Sequence, residues 1–322
     1  MPEPLAARFP LGASGLEVSP ICLGGNVFGW TADLDASFAV LDAFVAHGGN
    51  FIDTANVYSS WIPGNQGGES ETIIGRWLAE TGKRDQVVIA TKIGMAGGIF
   101  PKGLTREHIR RGVAGSLERL RIDTLDLYYA HEDDANTPLT ETMAAFDELV
   151  REGVVRAVGS SNYSAERLTE ALEISADSGA IGFSVHQPHF NLLDRDQYEG
   201  SLEQLCRDRG LGVAPYFALA RGFLSGKYRP NAPVPESGRA AGIQSDYMNP
   251  RGWRVLETVD RVAAAHGATP AQVAIAWLLA RPSITSPIVS ATTSAQLAEL
   301  AGAAAVRLTA GQIAALDAAG AR

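Results

Sequence analysis

The sequence predicts an α/β protein, a (β/α)8 TIM barrel with an N-terminal hairpin and a long loop after the seventh strand. Two observations carry this. Short apolar runs alternate with segments of helical spacing until eight strands are counted along 322 residues, the pattern of a parallel sheet. Several of those runs end on a polar or titratable side chain, as expected where strand ends share one barrel mouth. An open doubly wound sheet would need one very wide sheet for so many strands. No linker or composition break divides residues 1–322, so one domain is expected.

In order, Ala7–Val18 places Gly12 and Gly15 between short extended pieces and reads as a hairpin. Ile21–Leu23 is the first buried strand and runs into the loop Gly24–Trp30. Ala36–His47 has helical spacing, with Phe38, Leu41, Phe44 and Val45 on one face, and Gly48-Gly49 stops it. Phe51-Ile52-Asp53 is the second strand. Ser59–Gly68 is a loop, and Glu69–Glu80 a helix with Ile73, Ile74, Trp77 and Leu78 on one side. Val87–Lys92 is the third strand, Gly94–Gly103 a loop, and Thr105 caps helix Arg106–Leu120. Leu125–His131 is the fourth strand. Thr137-Pro138 opens helix Leu139–Arg151. Val154–Gly159 is the fifth strand, and Ser164 caps helix Ala165–Ala176. Phe183–His186 is the sixth strand, with Gln187 at its tip, followed by helix Gln197–Arg209. Gly212–Tyr216 is the seventh strand. The Pro- and Gly-containing stretch from Phe217 to about Pro250 reads as irregular loop. Helices Arg251–His266 and Pro270–Ala280 precede the eighth strand, Ser286–Val289. Ser294 caps helix Ala295–Ala305, and Ala310–Ala319 is a terminal helix.

Hydrophobic residues make up 46% and charged residues 20% of the chain, the balance of a globular protein with a large core. A net charge of −9 argues against broad nucleic-acid or anionic-membrane surfaces. Cys22 and Cys206, in a strand and a helix, read as buried free thiols, which fits a reducing compartment and a cytoplasmic location. The start Met1-Pro2-Glu3-Pro4 has no signal-peptide character. No stretch approaches the roughly 20 apolar residues that cross a bilayer.

The chemistry converges on three successive strands. Asp53, Lys92 and His131 stand at the C-terminal ends of strands two, three and four, and Tyr58 follows Asp53 in the next loop. A lysine beside a tyrosine favours the phenolate and lowers the tyrosine pKa from about 10. Asp53 would keep that lysine charged and oriented, and His131 would donate a hydrogen bond to a carbonyl oxygen. Together they form a proton donor for an oxygen gaining charge. No activated Ser or Cys nucleophile and no metal-ligand spacing accompanies them. A carbonyl-polarising acid without a reductant points to a bound redox cofactor. Ser161, Asn162 and Gln187 are polar tips suited to a carboxamide, and Tyr216 suits stacking on a flat ring. In Arg221–Lys227, glycines allow close backbone approach and two cations suit a pyrophosphate. No G-x-G-x-x-G occurs, so a nucleotide would not be held in the Rossmann manner.

With these residues in place, the chain resembles the aldo-keto reductase family over nearly its whole length. The motifs appear in family order as Phe51–Tyr58, Thr91-Lys92, His131, Gly159–Tyr163, Gln187 and Gly222–Tyr228. The resemblance implies that Asp53, Tyr58, Lys92 and His131 form a catalytic tetrad with Tyr58 as the acid. It implies that Ser161, Asn162 and Gln187 hold a nicotinamide carboxamide while Tyr216 stacks on the ring. Further cofactor contacts are expected from Gly25, Asn26, Asp53, Phe217, Leu219, Arg221, Gly222, Lys227, Ser290, Thr292, Gln296 and Glu299. Two departures stand out. Phe217-Ala218-Leu219 replaces the family's frequent Ser-Pro-Leu, and Ser290–Gln296 lacks the usual Lys or Arg for a 2′-phosphate. NADP is expected as cofactor, with NAD usable. Substrates are expected to be small-molecule carbonyls, with Trp30 and Trp61, and also Phe28 and Phe100, lining an apolar pocket. Glu132, Asp133 and Asp134 are candidates for binding substrate hydroxyls. Two alternatives are a nucleotide-sensing regulatory subunit of the same fold and Schiff-base chemistry on Lys92.

Overall fold

A computed structural model describes residues 3–321. β1 (Phe9–Pro10) and β2 (Glu17–Val18) form an antiparallel hairpin, with Phe9 opposite Val18. Eight parallel strands follow: β3 (Cys22–Gly24), β4 (Phe51–Asp53), β5 (Val88–Ile93), β6 (Leu125–Ala130), β7 (Val155–Ser161), β8 (Val185–Gln187), β9 (Gly212–Val213) and β10 (Ile288–Val289). They are ordered β10-β3-β4-β5-β6-β7-β8-β9. The sheet curls shut through the residues before β10. The Thr285 amide donates to the Val213 carbonyl at 2.8 Å, and the Ile288 amide to the Pro215 carbonyl at 2.9 Å.

The two-residue period of a strand decides what faces the barrel interior. Phe51, Val88, Ala90, Leu127, Tyr129, Ala157 and Val185 pack together inside the barrel. Leu11, Leu16 and Val18 of the hairpin join that cluster and plug the N-terminal end of the barrel. The alternate residues Ile52, Ile89, Tyr128 and Val158 pack outward in the larger core under the helices. Continuing the inward period brings Asp53, Lys92, Ser161 and Gln187 to the C-terminal mouth.

The helices are α1 (Leu34–Ala46), α2 (Glu69–Thr81), α3 (Arg106–Leu120), α4 (Leu139–Arg151), α5 (Ala165–Ser178), α6 (Ser201–Asp208), α7 (Ala240–Tyr247), α8 (Pro250–His266), α9 (Pro270–Leu279), α10 (Ser294–Ala301) and α11 (Ala310–Gly320). α8 begins with Asn249 as cap and Pro250 in its first turn, and buries Val255, Leu256, Val259 and Val262 at helical spacing. No single helix among the described residues is long and apolar enough to cross a membrane. α8 and α9 meet that test only together, and they are bent by 93°.

Several boundaries differ from the sequence reading. α1 starts earlier, because Asp33 accepts the Ala36 amide and caps it. β7 extends to Ser161, carried by parallel pairing of Ser161 with Gln187. α6 starts at Ser201, not Gln197. Thr293, not Ser294, caps α10, which gives way at Gly302 to a tight turn through Ala305. The stretch after β9 is not wholly irregular. It holds helical turns at Ala220–Ser225 and helix α7. Ile243 and Tyr247 are the buried residues of that short helix, too little periodicity to stand out in the sequence.

Candidate active site

Lys92 is the centre of the site and is fully buried. Its ammonium uses all three donors: to Asp53 Oδ2 at 2.5 Å, to the Thr54 carbonyl at 2.7 Å and to Tyr58 Oη at 2.8 Å. Asp53 is equally buried, and its second oxygen accepts from Gln187 Nε2 at 2.9 Å. Tyr58 Oη lies 3.4 Å from Asp53 Oδ2. The His131 ring stands 6.1 Å from that of Tyr58, and its Nδ1 has no hydrogen-bond partner among the described residues. The four residues expected as a tetrad are therefore brought together.

Burial dominates their electrostatics. It pushes the Tyr58 hydroxyl well above its usual pKa, and the Asp53 carboxylate adds to the rise. This reverses the lowering expected from sequence. Lys92 is already neutralised by Asp53, so little net positive charge is left to favour a phenolate. Burial also lowers Lys92 itself, opposed by Asp53. Burial, then the Lys92 charge, holds His131 well below the usual imidazole range, so it is neutral.

Beside the tetrad opens a cavity of about 340 Å³. Asn26, Ser161, Asn162, Gln187, Tyr216 and Ser290 supply its polar wall, and Trp61, Met95, Phe217, Ala218 and Leu219 much of its apolar one. Gly24 lets the chain pass close, since a Cβ there would meet Ser290 Oγ at 2.8 Å. Asn162 has a left-handed backbone, φ 57°, which asparagine tolerates. Its amide reaches the His131 carbonyl at 2.9 Å, and its oxygen accepts from Tyr216 Oη at 2.7 Å. Ser161 Oγ donates to the Gln187 carbonyl at 2.9 Å. Phe217, Ala220 and Arg221 also hold positive φ without being glycine. Such strain concentrates at functional sites.

A second cavity of about 360 Å³ adjoins the first and shares Asn26, Trp61, Phe217 and Arg221 with it. Trp30 stands edge-on to Trp61, and Trp61 to Tyr58, at 5.6 and 6.2 Å between centroids. Arg239 lies 5.0 Å over the Trp30 ring, and its buried Nη2 has no hydrogen-bond partner among the described residues. Sequence reasoning missed Arg239 and Met95. Met95 and Arg239 stand in loops without periodicity, and nothing local marks them.

Other expected site residues are placed elsewhere. Glu299 and Lys227 are exposed and line neither cavity, and neither do Thr292 and Gln296. The Gln296 side-chain oxygen accepts the Thr292 amide and hydroxyl, closing the start of α10 on itself. Ser290 Oγ bonds Asn26 Oδ1, and Gly25 binds the Asp53 carbonyl through its amide at 2.8 Å. Phe28 is core, and Phe100 packs under the Arg119 guanidinium. Glu132 pairs with Lys102, and Asp133 with Arg167. Asp134 accepts the Leu104 amide. All three acids are committed to loop structure rather than free for substrate hydroxyls.

The aldo/keto reductase family model matches residues 20–321. A probable voltage-gated potassium channel subunit beta of Arabidopsis thaliana is 36% identical over 299 residues, covering 90% of this chain and 88% of that protein. An uncharacterized oxidoreductase of Bacillus subtilis is 37% identical over 295 residues, covering 89% and 87%. A norsolorinic acid reductase of Aspergillus flavus is 31% identical over 292 residues, covering 86% and 71%. A match spanning the whole barrel, with all four mouth residues assembled around Lys92, leads to one conclusion: the chain belongs to the aldo/keto reductase family.

Proposed function

We propose that the protein is an NADP(H)-dependent reductase of small aldehydes, ketones or sugars, with Tyr58 as general acid. The observation that carries this is the buried Asp53–Lys92–Tyr58 cluster opening onto the 340 Å³ cavity. The residues fit a nicotinamide nucleotide. Tyr216 offers a flat ring, Ser161, Asn162 and Gln187 are polar groups beside it, and the Arg239 guanidinium lines the adjoining cavity. When bound, the reduced cofactor supplies a hydride.

The chain's own residues handle the proton. Tyr58 Oη gives its proton to the substrate oxygen as negative charge develops there. The Lys92 ammonium, 2.8 Å away, donates a hydrogen bond to the Tyr58 oxygen as its proton leaves. Asp53 holds Lys92 in place, and neutral His131 hydrogen-bonds the substrate oxygen instead of acting as a second acid. Schiff-base chemistry is disfavoured, because the Lys92 amine is charged, buried and fully bonded. Arg221 and Arg239 flank the second cavity and are the cations we assign to the cofactor phosphates, in place of the Ser290–Gln296 segment.

The test is turnover of a panel of aldehydes, ketones and sugars with NADPH and NADH. Tyr58→Phe should lose roughly 10²–10⁴ in turnover, as general acids contribute, with nucleotide affinity kept. Retention of activity within threefold would overturn the assignment. A second reading has one observation in its favour: relatives 36% and 35% identical carry the name of potassium channel subunit beta. Tight nucleotide binding without turnover of any carbonyl would favour a regulatory role.

A further inference from the structure

Tyr216 has two faces, and only one is accounted for by the cavity. On the other lies the imidazole of His189, stacked at 5.1 Å between centroids and 17° between planes. The two residues are also joined through the backbone. The Tyr216 amide donates to the Pro188 carbonyl at 2.9 Å, and His189 and Tyr216 form a parallel bridge. His189 is edge-on to Phe217 as well, at 5.3 Å. The imidazole is only 11% exposed, and its Nε2 stands 3.1 Å from Asp194 Oδ2.

Asp194 is a junction. Its Oδ2 accepts from Tyr247 Oη at 2.6 Å and from Asn191 Nδ2 at 2.9 Å, and that amide also reaches the Phe217 carbonyl at 3.0 Å. Against burial, which raises it, the close His189 imidazole and the bonds from Tyr247 and Asn191 hold Asp194 down at about 2. Tyr247 ends α7, whose neighbouring residue Asp246 pairs with Arg221 at 3.0 Å. One chain of contacts therefore runs from the inserted segment through Asp194 and His189 to the wall of the cavity.

We infer that His189 is a positioning residue, held by Asp194, that fixes the plane of Tyr216 and so sets affinity for the nicotinamide half of the cofactor. The inference rests on the nicotinamide reading of the cavity. A ring stacked from behind cannot tilt, so a flat group arriving on the open face meets a preformed surface. Without the imidazole, the Tyr216 ring is held on that side by nothing flat, and its ordering cost falls on ligand binding.

The experiment compares NADPH with adenosine 2′,5′-bisphosphate, which lacks nicotinamide, by titration calorimetry. His189→Leu removes the flat ring, and His189→Phe keeps it. An aromatic pair contributes about 0.5–1.5 kcal/mol, so His189→Leu should weaken NADPH about two- to twelvefold. The bisphosphate should bind both variants as it binds wild type, and His189→Phe should recover most of the NADPH affinity. Equal NADPH affinity in wild type and His189→Leu would overturn the inference. So would parallel losses for NADPH and the bisphosphate, which would mark a general packing defect. A wild type that binds the bisphosphate no less tightly than NADPH would overturn the nicotinamide reading itself.

Discussion

Replacing Asp53 with Asn would remove one charge and change almost no volume. The partner left behind is Lys92, and both side chains are essentially without solvent contact. Breaking one side of a buried pair costs about 3–5 kcal/mol, because the remaining charge is uncompensated. The variant has one escape, which is to release the Lys92 proton. At pH 7 that costs a lysine of ordinary pKa near 10.4 about 5 kcal/mol, so the two estimates meet. The pH dependence follows from the sign. Burial already lowers Lys92, opposed by Asp53. Without Asp53 its folded pKa falls further below the unfolded value, and the unfolded state binds more protons between the two. Stability of the variant should then rise with pH, by up to about 1.4 kcal/mol per unit, until the unfolded lysine itself titrates near pH 10. Urea unfolding at pH 7 and pH 9.5 measures this. A deficit of about 3–5 kcal/mol at pH 7 should shrink by about 3 kcal/mol at pH 9.5. A deficit below about 1 kcal/mol at pH 7, or one independent of pH, would show that Lys92 is not a buried cation held by Asp53.

The other expectations are simpler. Burial lowers the His186 pKa to about 3, so the folded protein keeps this histidine neutral while the unfolded chain protonates it below about 6.5. The stability that neutrality preserves is lost as pH falls through 6.5, so wild type relative to His186→Gln should lose about 2 kcal/mol between pH 7 and pH 5 in urea titrations; an unchanged difference would contradict burial of a neutral ring. Arg239→Met should weaken NADPH by about 1.5–3 kcal/mol, the worth of a charged hydrogen bond, which calorimetry reads directly, and undiminished binding would remove Arg239 from the phosphate site. Trp61→Ala should raise KM for bulky aromatic aldehydes more than for the smallest ones, because Trp61 lies edge-on to Tyr58; equal changes across the series would assign Trp61 a packing role. Since burial and Asp53 raise the Tyr58 pKa, reduction should show no fall from Tyr58 titration up to pH 10, and an inflection at pH 7–8 that disappears in Tyr58→Phe would contradict this.

Much of the barrel was legible in the sequence because the signals are local. Apolar runs such as Val87–Ile89 and Leu127–Ala130 mark strands, and Thr105 and Ser164 mark helix starts through bonds to amides three residues on. Strand ends place Asp53, Lys92 and His131 at one mouth once the order is parallel, so their neighbourhood followed from pattern and spacing, while their expected roles came from the family resemblance. What the sequence could not decide depends on neighbours distant along the chain. Lys92 and Asp53 are 39 residues apart, and whether their pairing lowers or raises the Tyr58 pKa depends on burial that appears only when the barrel closes. Gln187 turns to Asp53 across 134 positions. Arg239 sits in a segment without periodicity, and only packing on Trp30 brings it to the cavity.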